Sequence, residues 1–424
     1  MRPAPAPGQH LVLAGGRVVT PDGVLHPGWI KLAGPDIAAI GPGEAPRQPG
    51  LTVTDLRGQW VLPGFVDMHI HGGGGLSFTE GSAQDARGAA EFHLRHGSTS
   101  IVASLVTAPL AELERRAAML AGLAAAGVIA GLHLEGPFLA PARCGAQDPR
   151  YLLAPSVAVL ARLKAAAAGY LKVITIAPEL PGATEVITAA ARAGVIVAVG
   201  HTDATADETS AAVDAGATHA THLFNGMRPL HHREPGAAGA LLCRDEVSCE
   251  VIADGVHLHD TTLCLAARAA GPDRLVLITD AMAAAGMPDG SYRLGSLQVG
   301  VAGGVARLAA ADAQPGHAQP GHAQPGHAQP GCAQRGDGEP GHGKLGAIAG
   351  STATMDAVLR RAVGAGLPVP EAVAAASATP ARVLGIEDRV GSLRPGLAAN
   401  LVIMDEAWRL RAVMRHGQWL TAGP

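Results

Sequence analysis

Leu62-Pro-Gly-Phe-Val-Asp-Met-His69-Ile-His71, followed by Gly72–Gly75, is an apolar run that ends in two histidines. In a strand, residues i and i+2 point to the same face. His69 and His71 therefore aim two imidazoles at one point, as a divalent metal requires. One His-x-His pair is common by chance, so the rest of the chain must supply further ligands, a base and a pocket.

Reading outward from this run, apolar segments at 61–69, 99–106, 128–135, 172–177, 195–200, 218–224, 248–253 and 274–279 read as eight strands. Ala-rich helical patterns separate most of them, for example 83–96, 110–126, 157–168, 183–193 and 206–215, and 352–363 can close the last unit. Alternating β and α elements with apolar strands imply a parallel sheet covered by helices. Eight such units predict an α/β fold of the (β/α)8 TIM-barrel type over residues 60–385. Short strands punctuated by Pro and Gly occupy both chain ends. They predict a small β-sandwich domain built from 1–59 plus 386–424. A Gln-Pro-Gly-His-Ala repeat runs through about 312–343 and reads as a solvated insert, because each Pro-Gly favours a turn. The rival reading is an accessory metal tether through His317, His322, His327 and Cys332.

Composition narrows the class. The 424 residues are 48% hydrophobic and 16% charged, with net charge −4, which suits a compact globular protein. No basic field and no aromatic stripe for nucleic acid is present, the aromatics being 3%. Five cysteines without Cys-x-x-Cys argue for a reducing compartment, and the chain is expected to be cytoplasmic. The apolar run 117–132 is short for a membrane span and leads into His133 and Glu135, so no membrane association is expected.

Polar residues fall at the C-terminal ends of the predicted strands, where (β/α)8 barrels carry their active sites. His69 and His71 end the first, Glu135 the third, His201 follows the fifth, and His222 lies near the end of the sixth. Asp254 and His257 follow the seventh and Asp280 the eighth. Singly, each reads as ordinary: a structural histidine, or an aspartate capping a helix. Together they point to one hydrolytic metal centre.

At this point the chain resembles the amidohydrolase superfamily and, more narrowly, the N-acetylglucosamine-6-phosphate deacetylases. The matching pieces are Pro63-Gly-Phe-Val-Asp-Met-His-Ile-His-Gly-Gly-Gly74, His133-Leu-Glu-Gly-Pro-Phe138, Gly200-His-Thr-Asp-Ala-Thr205, Thr221-His-Leu-Phe-Asn-Gly-Met227, Arg233-Glu-Pro-Gly236, Ile252-Ala-Asp-Gly-Val-His257, Thr279-Asp-Ala-Met282 and Ile348-Ala-Gly-Ser351. The resemblance implies a catalytic metal, zinc, on Glu135, His201 and His222. It implies a second on His69 and His71, bridged by Glu135, so one or two metals per subunit. Asp280 is similar to the family's catalytic aspartate and His257 to its substrate-contacting histidine. The Asn225-Gly226 backbone is expected to meet the sugar phosphate. Arg233 resembles an arginine that one subunit lends to its neighbour, which implies a homodimer.

The implied reaction removes the acetyl group from N-acetylglucosamine 6-phosphate. A bound metal would bring the pKa of water to about 7, and Asp280 would shuttle the proton to the leaving amine. Three features depart from the family pattern. Gln147 stands where a histidine that holds the acetyl carbonyl is usual; Gly226 replaces a usual alanine; and the repeat insert precedes Ile348. The open alternatives are a galactosamine analogue as substrate, another N-acyl or cyclic-amide amidohydrolase, or an inactive barrel kept as a scaffold. No lysine lies near the third strand end to bridge metals, and the expected ligands are all present, which weighs against the last two.

Overall fold

The computed structural model describes residues 10–46, 52–309, 346–420 and 423. The repeat insert, with the proposed tether His317, His322, His327 and Cys332, lies outside them.

Eight parallel strands pair in chain order: β1 (Phe65–Ile70), β2 (Ser98–Val106), β3 (Gly131–Glu135), β4 (Leu171–Ile176), β5 (Ile196–Val199), β6 (His219–Ala220), β7 (Ser248–Ile252) and β8 (Leu275–Ile278). Each is followed by a helix: α1 (Ala83–Arg95), α2 (Leu110–Ala125), α3 (Val157–Ala166), α4 (Ala183–Arg192), α5 (Ala206–Asp214), α6 (Gly236–Leu242), α7 (Asp260–Ala270) and α8 (Met355–Gly364). The local code is plain in α1. Ser82 and Asp85 form a capping box, and Ala86, Ala89, Ala90 and His93 form one buried stripe at helical spacing. A three-stranded sheet, Gly290–Leu294, Leu297–Ala302 and Val305–Leu308, separates β8 from α8; the sequence reading did not anticipate it.

Strand alternation sorts the side chains. Leu132, Leu134, Ile174, Ile176, Val197, Val199, Leu275 and Leu277 join the core under the helices. Val102, Val173, Ala198 and Val276 fill the barrel interior and pack with Ala381 and Leu384. The next interior positions are polar, namely Ser104, His133, Thr175 and Glu250, all buried. A polar layer thus sits on an apolar plug.

The barrel closes through side chains as well as backbone. Asp67 accepts from Thr279 Oγ1 (2.6 Å) and Thr279 N (3.3 Å), and Asp280 N donates to His69 O (2.9 Å). Burial lifts the Asp67 carboxyl to about 7 against these bonds.

The chain ends form one eight-stranded sheet, in which Leu401–Met404 and Trp60–Pro63 join the C-terminal strands to His10–Thr20, Gly23–Ala33 and Asp36–Pro42. The two chain ends thus form one small β-domain, as expected, its strands hydrogen-bonded in a continuous sheet with Leu13, Ile30, Ile37, Leu401, Ile403 and Met414 sharing one core. Two strand expectations change. The run 61–69 is split at Gly64 between this sheet and the barrel. A Cβ there would meet Thr99 Oγ1 at 2.2 Å, so the two layers meet where only glycine fits. The run 218–224 is strand only at His219–Ala220, because His222 and Phe224 turn at φ +25° and +75°.

Candidate metal centre

At the C-terminal mouth of the barrel, Glu135 stands among two groups of potential metal ligands. Its Oε1 lies 2.9 Å from His201 Nε2 and 3.0 Å from His222 Nε2, and those two nitrogens are 3.1 Å apart. On the other side, His69 Nε2 and His71 Nε2 are 3.2 Å apart, at 3.5 and 3.2 Å from Asp280 Oδ1 and at 3.5 and 3.3 Å from Glu135 oxygens. Glu135, His201 and His222 form one potential metal-binding group, and His69, His71 and Asp280 a second; every member is buried.

These residues fit a metal. A tetrahedral ion with bonds of about 2.1 Å has ligand–ligand edges of about 3.4 Å, close to the spacings observed. The second nitrogen of three imidazoles is already committed. His201 Nδ1 donates to Arg143 O (2.8 Å), His222 Nδ1 to Asn225 O (3.2 Å) and His69 Nδ1 to Glu250 Oε2 (3.0 Å). Such partners fix the tautomer and present Nε2 as the ligand. Converging lone pairs and carboxylate oxygens otherwise face one another, which calls for positive charge between them. Burial alone would raise Glu135 and Asp280, yet the facing imidazoles hold both below the usual carboxylate range. Burial depresses His71, but hydrogen bonds to Asp280 and Glu135 outweigh it and lift it to about 9. The His71 Nδ1 atom is buried without a hydrogen-bond partner.

The backbone is strained where the ligands sit. His201 and Asp280 have φ +48° and His222 φ +25°. Such conformations cost energy and persist only where the surroundings enforce them. Here Ala140 N donates to His201 O, Ser351 N to Asp280 O, and His222 N to Glu250 Oε2.

The other expected site residues are placed as follows. His257 Nδ1 donates to Asp254 Oδ2 (2.8 Å), which leaves Nε2 for a ligand. Burial lowers its pKa, but Asp254 and the Asp280 charge raise it on balance. Asn225 folds its amide back onto His222 O and Leu223 O, so its side chain is occupied. Gly226 has φ +60°, and a Cβ there would lie 3.0 Å from His201 Nδ1. Arg233 is exposed in the turn closed by the His231–Glu234 bridge, where its Nη1 donates to His232 Nε2 (2.7 Å); this chain does not bring it to the metal groups. Gln147 is buried, its Nε2 donating to Glu135 Oε2 (2.5 Å) and its Oε1 accepting from Thr107 N (2.7 Å). It therefore touches a ligand carboxylate within the chain.

The sequence reading passed over Glu250, His219, His133 and Ser104, which form the polar layer below the ligands. Their signal is the alternation Ser248-Cys249-Glu250 and His133-Leu134-Glu135, a polar residue at every second position of an otherwise apolar strand.

Comparison with known proteins agrees with this geometry. The amidohydrolase family model matches residues 60–420. The fold is similar to that of an N-acetyl-D-glucosamine-6-phosphate deacetylase variant from Mycobacterium smegmatis solved with N-acetyl-D-glucosamine 6-phosphate. That match has TM-score 0.87 and 42% identity and covers 98% of this chain and 100% of the other. An N-acetylgalactosamine-6-phosphate deacetylase of Escherichia coli O157:H7 is 34% identical over 412 residues, 96% of this chain and 98% of its own. An N-acetylglucosamine-6-phosphate deacetylase of Lysinibacillus sphaericus is 32% identical over 375 residues, 87% of each chain. With two buried potential metal-binding groups, each with its own carboxylate, at the mouth of a (β/α)8 barrel, and a family match spanning that barrel, this chain belongs to the amidohydrolase family.

Proposed function

We propose that this protein is a metal-dependent hydrolase that removes the acetyl group from N-acetylglucosamine 6-phosphate, giving glucosamine 6-phosphate and acetate. The observation that carries the reading is the position of Asp280. It is a buried, anionic carboxylate within hydrogen-bond distance of the His pair that faces Glu135. The relatives' names supply the substrate class.

Glu135, His201 and His222 would hold the catalytic metal, and His69 and His71 a second one bridged by Glu135. Mixed nitrogen and oxygen donors suit zinc. When bound, the metal polarises the acetyl carbonyl and acidifies a water. Asp280 accepts the proton of the attacking water and returns it to the departing amine. Its depressed pKa keeps it ionised at neutral pH, ready for the first transfer. His257, oriented by Asp254, contacts the sugar through Nε2. The Asn225-Gly226 backbone and Arg233 bind the phosphate, for which a planar, permanently charged guanidinium is suited. The exposed turn that carries Arg233 supports a homodimer in which each subunit completes its neighbour's site. Gln147 orients Glu135 by its short amide hydrogen bond, and its amide can also face the acetyl group. The free thiols Cys144, Cys243, Cys249 and Cys264 support a cytoplasmic setting. Among the described residues no helix is long and apolar enough to cross a membrane.

The test is acetate release from N-acetylglucosamine 6-phosphate, with and without chelator, beside the galactosamine analogue and the unphosphorylated sugar. Release should require metal and phosphate. Equal rates on both glucosamine substrates would remove the phosphate role, and no release by metal-loaded protein would remove the deacetylase reading.

A further inference from the structure

Glu250 is a carboxylate at the centre of the barrel, 1% exposed, on β7. A charge taken that far from water costs several kcal/mol unless its oxygens are fully engaged. They are. Oε1 accepts from His219 Nε2 (3.0 Å), whose Nδ1 lies 2.6 Å from Ser248 Oγ. Oε2 accepts from His69 Nδ1 (3.0 Å) and from His222 N (3.1 Å). All three bonds end on carboxylate oxygens, so they are charge-assisted.

The two bonds to Oε2 lead to different metal groups. His69 belongs to the group with His71 and Asp280, and His222 to the group with Glu135 and His201. At His69 the bond acts on the side chain: a carboxylate at Nδ1 favours a proton on that nitrogen and turns Nε2 towards the centre. At His222 it acts on the backbone of a residue held at φ +25°. A single oxygen therefore presets a ligand tautomer on one side and a strained ligand backbone on the other.

We propose that Glu250 is a positioning residue that couples the two metal groups, presenting His69 to the second metal and anchoring His222 for the first. The inference rests on the two-metal reading above. It concerns the free protein's own geometry, so it is tested by metal binding and not by turnover alone.

Three variants separate the roles: Glu250→Met, a similar volume without an acceptor; Glu250→Gln, which keeps one acceptor oxygen; and His69→Asn. Zinc affinity is measured for each by chelator competition with metal analysis, and the cobalt(II) form by absorption. In Glu250→Met the second zinc weakens about 10–100-fold, as for other lost outer partners of metal ligands. The first zinc weakens too, because His222 loses its anchor. Glu250→Gln recovers part of both affinities and of the cobalt spectrum. In His69→Asn only the second zinc is lost. Two zincs bound as tightly by Glu250→Met as by wild type would overturn the inference while leaving the two-metal reading standing, and so would weakening confined to the second zinc. Wild type that saturates at one zinc overturns that reading and the inference with it. Nitrogen-15 NMR of the histidines in wild-type zinc enzyme needs no variant to fold: a His69 ring with its proton on Nδ1 supports the proposal, and metal on Nδ1 overturns it.

Discussion

Asp280→Asn isolates the proton-transfer role from the architecture. Asparagine matches aspartate in size and tolerates the left-handed backbone, so φ +48° carries little added strain. The backbone bonds from Asp280 N to His69 O (2.9 Å) and from Ser351 N to Asp280 O (2.8 Å) do not involve the side chain. What is lost is one negative charge, 3.2 Å from His71 Nε2 and 3.5 Å from His69 Nε2, together with the ability to take a proton. General acid–base catalysis by one positioned group is worth roughly 10²–10⁴ in rate, or about 3–5 kcal/mol of barrier. The expected kcat on N-acetylglucosamine 6-phosphate falls by that factor. The group Glu135, His201 and His222 does not include Asp280, so it keeps its metal. The assay is acetate release under substrate saturation, run beside metal analysis of the same sample. Turnover within a few-fold of wild type would refute the role. Loss of the metal from Glu135, His201 and His222 would refute it differently, by showing that Asp280 builds the site.

Arg233→Ala should lower kcat/KM for the phosphorylated sugar by roughly 10–150-fold, the worth of a charged hydrogen bond, and leave the unphosphorylated sugar unaffected. Mixing Arg233→Ala with Asp280→Asn subunits should restore activity, because one site of each mixed dimer then has both an intact Asp280 and a neighbour's Arg233; no restoration would contradict the lending. A pH effect comes from His93, buried in α1 with Nε2 donating to Gly72 O (2.8 Å) and pushed by burial from 6.5 to about 4. The unfolded chain takes up this proton below 6.5 and the folded protein only below about 4. Stability is therefore full above 6.5, falls by about 3 kcal/mol between the two values, and levels off below. His93→Gln should flatten that part of the stability–pH curve in chemical denaturation, and an unchanged slope would exclude His93 as its source.

Much of this was readable in the chain. The barrel was legible because each β/α unit is encoded locally: apolar strands such as Leu275–Ile278, helical stripes such as Ala86, Ala89, Ala90 and His93, and caps such as Ser82 with Asp85. The gathering of the candidate ligands was legible because this fold places strand C-termini at one mouth. Glu250 and His219 were not, since a polar residue inside a strand declares no partner. The partners of Glu250, His69 and His222, lie 181 and 28 residues away along the chain. Nor did the run 61–69 declare its division at Gly64, because the obstacle there is Thr99 on the neighbouring strand.

The sequence by itself determined which residues could bind metal and which end of the barrel would carry them, since side-chain chemistry and strand periodicity are local properties. Only the tertiary structure decided how the residues combine. Closure of the barrel brings Asp280 beside His69 and His71 and sets Glu135 between two groups; it also leaves Arg233 outside both. The His69-Ile-His71 pair could be read as two imidazoles on one side. That they form a site with one orientation depends on a carboxylate from β7 bonded to His69, and such a contact exists only once the strands have closed into a ring.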